Sequence, residues 1–446
     1  MAIFSLFAFL TVVAAYLRVF PRELGFSASP PGEDKKNRTI MARLFPLFSI
    51  LVIALWGCGN GGVDGSDGPR SAALRAAQVS AGDFHTCARV DGTVECWGDN
   101  SSGQLGDGTG ANRLFPVAVA GVSTATRISS GGQHTCALLS DGTVACWGAN
   151  ASGQLGNGNT TGSLTPVAVS GVTDALSISA GSTHTCALIS NGTIRCWGRN
   201  IFGELGNGSN QGSSLPVAVS GITTAAEVAA GGSHTCARLS DGSVRCWGSH
   251  ALDQLGNTGL ITGSSSNTPV TVSGLANAVS IEAGTNHTCA VTNTGTVSCW
   301  GDNISGQLGG FWTLVATFPL SFRTTSETPV SVSGLSTAAG AAAGFGHSCA
   351  ALSTGSVFCW GDNSSGQLGA ASNVGFVPPG GGASTTVTIV PVQAGSITTA
   401  VEVTTGLFHS CARLSNSRVL CWGLNSSGQL GIGDVGGTPF PTEAGG

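Results

Sequence analysis

Residues His134–Gly148 read HTCALLSDGTVACWG. Two cysteines stand ten apart around a Ser-Asp-Gly segment, and close variants of the stretch occur seven times along the 446-residue chain. The pairs are Cys87 and Cys96, Cys136 and Cys146, Cys186 and Cys196, Cys236 and Cys246, Cys289 and Cys299, Cys349 and Cys359, and Cys411 and Cys421. Each first cysteine follows a histidine by two positions, and each second cysteine precedes Trp-Gly. From histidine to histidine the steps are 49, 50, 50, 53, 60 and 62 residues. A period of this size specifies an array of small units rather than one ordinary core.

One unit runs TPVAVSGV, LSISAG, HTCALIS, a turn, TIRCWG and NIFGELGNG. The apolar residues alternate as in half-buried strands, and no helical period is present. Four short strands per unit, repeated radially, make propeller blades. The expected fold is therefore all-β, a seven-bladed β-propeller of four-stranded blades. The first unit has no Pro-Val strand before it, and the C-terminal GGTPFPTEAGG has no hairpin after it. The expectation is that the C-terminal strand completes the first blade and so closes the ring.

The hairpin loops set the cysteine pairing. Ser140-Asp141-Gly142 suits a three-residue loop with glycine in the left-handed position, which places Cys136 opposite Cys146. In the first unit the cysteines are nine apart, and Asp91-Gly92 suits a two-residue primed turn. The spacing and the loop change together, so Cys87 still faces Cys96. Opposed strand residues are close enough for a disulfide. Each of the seven pairs is expected to form one within its own blade. Zinc held by His134, Cys136 and Cys146, or unpaired thiols, are the competing readings. Seven zinc sites, each short of a fourth ligand, make zinc the poorer one. The per-unit histidines and tryptophans read as packing elements of a blade, not as catalytic groups.

Only 9% of the residues are charged. From Ser71 onward there are 11 arginines, 18 acidic residues and no lysine. That balance excludes a nucleic-acid binder, which needs basic patches. Fifteen cysteines so spaced point to an oxidising compartment. The segment from Met41, MARLFPLFSILVIALWGC, has the parts of a secretory signal. Leu55-Trp56-Gly57-Cys58 stands where a bacterial lipoprotein carries its lipobox, with Trp56 in place of the usual small residue. The expected organisation is an upstream extension or hydrophobic segment over 1–40, a lipoprotein-type signal over 41–57, a Gly-rich tether over 58–71 and the propeller over 72–446. Cys58 would carry the lipid anchor.

The composite GGxHTCALxSDGTVxCWGxNxxGQLGxG resembles the repeat of the regulator of chromosome condensation family, over about residues 72–446. The resemblance implies a seven-bladed propeller. The cysteines look like those of exported bacterial members, and a secreted β-lactamase inhibitor with this fold implies that it can serve purely to bind protein. The nuclear exchange activity of the founding member does not suit an exported, weakly acidic chain.

The units differ in one loop. From the glycine of QLG to the next proline is 10 residues in three units, then 13, 20 and 22 (Gly256–Pro269, Gly309–Pro329, Gly369–Pro391). Insertions on one face of a repeat array often mark its binding face. Phe311, Trp312, Phe318, Phe322, Arg323 and Phe376 are the candidate partner-binding residues, since aromatics and arginine anchor interfaces. Burial in a small cluster under the loop is the alternative. The expected function is a monomeric, lipid-anchored scaffold that binds an envelope or extracellular protein. A carbohydrate-binding or inhibitor-like propeller is the alternative. No catalytic constellation, metal or cofactor is expected.

Overall fold

The computed structural model describes residues 74–310, 314–315, 321–322, 324–370 and 387–445. Cys58 and the segments before it lie outside these residues, as do Phe311, Trp312, Phe318, Arg323 and Phe376. Phe322 is described in its backbone alone, in a short hairpin where it pairs with Leu314.

The described strands form seven four-stranded antiparallel sheets and that one hairpin. The fold is a seven-bladed β-propeller. Blade 1 has an inner strand Gln78–Ala81, a second strand His85–Val90, a third strand Thr93–Gly98 and an outer strand Arg113–Ala118. Blade 7 has Ala400–Thr405, His409–Leu414, Val419–Gly423 and Thr438–Glu443 in the same order.

This order corrects the expected closure. The C-terminal strand completes the seventh blade, with Cys421 opposite Thr442. The first blade has its own outer strand, with Cys96 opposite Val117. Each Pro-Val strand pairs with the Cys-Trp-Gly strand just before it, a local closure. Pro116 falls in an irregular stretch of that edge pairing, where a residue without an N–H is tolerated. The ring closes instead by packing of blade 1 on blade 7. Leu74, Ala76, Val79 and Trp97 share one apolar cluster with Cys411, Leu430 and Ala444. The Ala76 N–H donates to the Ser417 carbonyl at 2.8 Å, and the Ala81 N–H to the Thr404 hydroxyl at 3.1 Å.

Both hairpin types form. In blade 1, Val90 faces Thr93 across Asp91 and Gly92, whose φ values are 47° and 87°. In blade 2, Leu138 faces Val144 and Gly142 has φ 81°. Each cysteine pair is a disulfide inside its blade. Cys87 is joined to Cys96, Cys136 to Cys146, Cys186 to Cys196 and Cys236 to Cys246. Cys289 is joined to Cys299, Cys349 to Cys359 and Cys411 to Cys421. The Cα–Cα distances are 4.0–4.1 Å, because every pair is directly opposed in the register of its hairpin. Zinc at His134, Cys136 and Cys146 is thereby ruled out, since both sulfurs are spent on the bridge. Every one of these cysteines is fully buried. Each bridge closes a short loop and contributes about 3 kcal/mol or less. Their burial sets the first expected outcome. Non-reducing peptide mapping recovers seven intra-blade links, and a thiol reductant without denaturant leaves them intact. Rapid reduction of the native protein, or links between blades, would contradict the structure.

The core is a set of layers between blades. Val94, Leu105 and Val119 of blade 1 pack on Ile128, Ala137 and Trp147 of blade 2. The Trp147 indole N–H donates to the Gln104 carbonyl of blade 1 at 2.9 Å. The seven repeat tryptophans all make this bond to the preceding blade, at 2.8–3.1 Å. The histidines bond the following blade: His85 Nε2 lies 2.8 Å from the Thr135 hydroxyl. Thr135 spends its own proton on the Gln104 carbonyl, so the histidine donates. The same bond recurs in every blade, with His409 closing on Thr86. The histidines and tryptophans are thus stitches between blades, each fully buried.

Candidate functional site

Strands alternate in direction, so the turn between inner and second strands and the loop between third and outer strands open on one face. The Asp99 N–H marks their adjacency by donating to the Phe84 carbonyl at 2.9 Å. The long connections from Gly256, Gly309 and Gly369 therefore leave their blades on the face where the seven inner turns surround the axis.

Those turns share an Ala/Ser/Thr-Gly-x-x-His frame. Gly131 shows why glycine is required: a Cβ there would lie 2.4 Å from the Gly181 carbonyl oxygen and 2.5 Å from the His134 ring. The two variable positions divide the mouth. Blades 6, 7 and 1 contribute Phe345, Leu407, Phe408 and Phe84, and the Phe345 and Phe408 rings stand 5.6 Å apart. Blades 2–5 contribute Gln133, Ser182, Thr183, Ser233, Thr285 and Asn286.

Inside the mouth the inner strands surround a cavity of about 150 Å³. Its wall is a sheet edge repeated seven times, and unpaired edge N–H groups need partners. Side chains of neighbouring blades supply them. Ser80, Ser129 and Ser179 hydroxyls accept from the N–H groups of Ser130, Ala180 and Ala230, each at 2.9 Å. Glu402 and Glu227 accept from the N–H groups of Val79 and Ile281 at 3.3 and 3.2 Å. Arg413 and Arg238 hold these two glutamates, at 2.8 and 3.0 Å.

Two carboxylates on the cavity wall have no hydrogen-bond partner among the described residues. Asp83 lies at the mouth and Glu282 one layer deeper, on blades 1 and 5. Enclosure away from bulk water pushes Asp83 up to about 7. Glu282 is open to the channel yet surrounded by the ring. That enclosure, with the nearby charges of Glu227 and Glu402, pushes it up to about 8. Sequence reasoning missed both acids. The available signal was that they break the repeat: Ser, Thr or Ala replaces Glu282 in the other blades, and Asp83 alone is charged at its position.

A second break, also missed, lies in blade 4. His250 stands where the other blades have asparagine, and Asp253 where they have glycine. The two changes compensate. Asn100 Oδ1 accepts the Leu105 N–H at 3.0 Å, and His250 Nδ1 accepts the Leu255 N–H at 3.4 Å. Asp253 adopts the left-handed φ of 63° and sits 3.5 Å from His250 Nε2. It also accepts the hydroxyls of Thr262 and Thr325, each at 2.6 Å. His250 is fully buried, so the pair ties turns together and cannot reach a ligand. Among the described residues no three His, Cys, Asp or Glu side chains converge as a metal centre.

The family model described as the RCC1-like domain matches residues 177–445, and models of the regulator of chromosome condensation (RCC1) repeat match 91–138 and 141–188, and 76–104 and 125–154. The chain belongs to the RCC1-like family. A probable E3 ubiquitin-protein ligase, HERC6 of Homo sapiens, is 33% identical over 156 residues, 34% of this chain and 13% of that protein. The ultraviolet-B receptor UVR8 of Arabidopsis thaliana is 30% identical over 162 residues, 36% of this chain and 32% of the receptor. The matches thus span a third or less of these relatives. Yeast RCC1 (Prp20), solved bound to Kap60, superposes with TM-score 0.66 at 18% identity, covering 95% of this chain and 90% of that one, a likeness of fold. In this RCC1-like ring the Gly-x-x-His frame holds the blades together, and individuality is concentrated in the inner-turn residues and the third-to-outer loops of the same face.

Proposed function

We propose that this chain is an exported, lipid-anchored propeller that binds a protein partner through its loop-bearing face. The observation that carries the reading is one-sidedness. The longest connections, in blades 5 and 6, leave the ring on the face where blades 6, 7 and 1 present an aromatic arc. A single asymmetric contact suits one partner, whereas a lectin would tend to repeat its site in every blade. Support for export comes from seven buried disulfides, which persist in oxidising compartments. Among the described residues no helix is long and apolar enough to cross a membrane, and in this reading acylated Cys58 anchors the ring.

The test separates contact from address. Trp312→Ala and Phe318→Ala weaken capture of the partner roughly thirtyfold, as loss of an interface anchor does, and leave thermal unfolding nearly unchanged. Cys58→Ser releases the protein from membranes without altering capture. Unchanged capture with a large stability loss would place those rings in a buried cluster and overturn the contact. Membrane retention of the Cys58→Ser protein would overturn the anchor.

A further inference from the structure

The axial cavity has a chemistry that neither blade cohesion nor the proposed outer contact uses. We infer that it binds the cationic head of a short linear chain, an ammonium or guanidinium group entering from the aromatic mouth.

Three observations carry this. The first is the balance of groups on the wall. Asp83 and Glu282 line the cavity from different blades, and among the described residues no lysine, arginine or histidine lines it. On adjoining inner strands Glu227 is held by Arg238 and Glu402 by Arg413, and Arg127, which interacts with Glu227, does not line the cavity. The second is a ring of acceptors. A Cβ on any of Gly82, Gly131, Gly181, Gly231, Gly284, Gly344 or Gly406 would lie 2.3–2.6 Å from the carbonyl oxygen of the next glycine around the ring. Seven backbone carbonyls therefore ring the mouth with no side chain between them; those of Gly131, Gly181, Gly231, Gly284 and Gly344 already accept an N–H from the preceding blade's turn at 3.0–3.3 Å and keep a second lone pair. The third is that the repeat itself supplies the neutral alternative. Where Ser80, Ser129 and Ser179 cap a neighbouring N–H, Glu282 makes no such bond. Its carboxylate does not serve the wall.

Such a site sets two unpaired carboxyl groups among carbonyl and hydroxyl oxygens, with no cationic side chain on the wall among the described residues. Its complement is a group that brings several N–H donors and a positive charge together. The two carboxylates differ in depth by three residues along the inner strands, which suits a chain entering along the axis. Phe84, Phe345 and Phe408 at the mouth offer apolar surface and ring faces to such a chain. A bare metal ion is less well served, since no three ligating side chains converge there among the described residues. The raised carboxyl values are consistent with this reading: without a cation the acids hold protons near neutrality, and a bound cation displaces them.

Calorimetry on the full-length protein tests the site, with agmatine, cadaverine, an N-acetylated arginine tripeptide amide and calcium chloride as probes. The axial site binds agmatine or the arginine peptide, and affinity falls as salt rises. Comparable affinity for agmatine and peptide points to a free amine as the natural source. A clear preference for the peptide points to a side chain of a partner. Glu282→Ser and Asp83→Gly place residues that other blades already carry, so the ring keeps its fold. Each weakens binding about tenfold or more, the loss expected when a charge-assisted bond is removed. Both variants keep the partner capture that depends on Trp312, so failure here is distinguishable from failure of the outer contact. Absence of binding by every organic cation, calcium binding alone, or variants that bind as the parent does would overturn the inference.

Discussion

Acidification from pH 7.5 to pH 4.5 is expected to lower the urea midpoint of unfolding steeply. Burial pushes His85, His184, His287, His347 and His409 down to about 3, and His134 and His234 to about 4. In the unfolded chain each titrates near 6.5. Below about 6.5 the unfolded chain takes up protons that the folded ring refuses. The histidine contribution to stability is therefore level above that value and falls as pH falls toward 3–4. Each histidine contributes a slope of up to about 1.4 kcal/mol per pH unit in that window. Their Nδ1 atoms have no acceptor, and a Cβ on Gly131 would stand 2.8 Å from His134 Nδ1, so the site offers no room for a water to receive a proton.

Acids oppose this trend in part. Asp83 is raised to about 7, Glu282 to about 8 and Asp302 to about 6, each chiefly by burial, and burial also raises Glu227 and Glu402. These groups bind protons more readily when folded, so their contribution to stability is lost as pH rises through the raised values and regained on acidification. Between pH 7.5 and about 6.5 only the raised acids titrate and stability rises slightly on acidification; below about 6.5 seven histidines outnumber five acids, so the slope there takes the sign set by the histidines and the net change to pH 4.5 is a loss. Midpoints that stay flat between pH 7.5 and 4.5 would show that the inter-blade histidines are hydrated. The disulfides do not alter this result, because they constrain the unfolded chain at every pH.

Strand content and hairpin register were legible because the cysteine spacing and the loop chemistry vary together. Ten residues with Ser140-Asp141-Gly142, and nine with Asp91-Gly92, each allow one register that opposes the cysteines. The closure was not legible. A repeat has no intrinsic first strand, and the order of pieces is the same whether a Pro-Val strand pairs backward or forward. Only the pairing of Cys96 with Val117 decides it. The axial cavity was hidden for a different reason. Asp83 and Glu282 are isolated departures in separate units, and only closure of the ring gives them a common space. The aromatic segment at 311–323 was conspicuous because its composition departs from the repeat over a continuous run.

Trp147→Ala is expected to cost about 3–5 kcal/mol, the range for deleting a large buried aromatic. The indole is fully buried between blades 1 and 2, against Leu105, Val119 and Ile128. Gly106 is fitted to it: a Cβ there would lie 2.7 Å from Nε1. Backbone so closely packed cannot collapse into the space, so the cavity term persists. The Gln104 carbonyl is not orphaned by the change, because Thr135 still donates to it at 2.9 Å. Most of the loss is therefore packing, and Trp147→Phe costs distinctly less than Trp147→Ala. Blades contact only their neighbours, so the damage is local to one seam. Hydrogen exchange quickens first along the third strand of blade 1 and the second strand of blade 2, while blade 5 keeps its protection. A uniform loss of protection around the ring would mean that the seven seams open as one unit. Equal costs for the Phe and Ala variants would assign the loss to the indole N–H instead of to the space it fills.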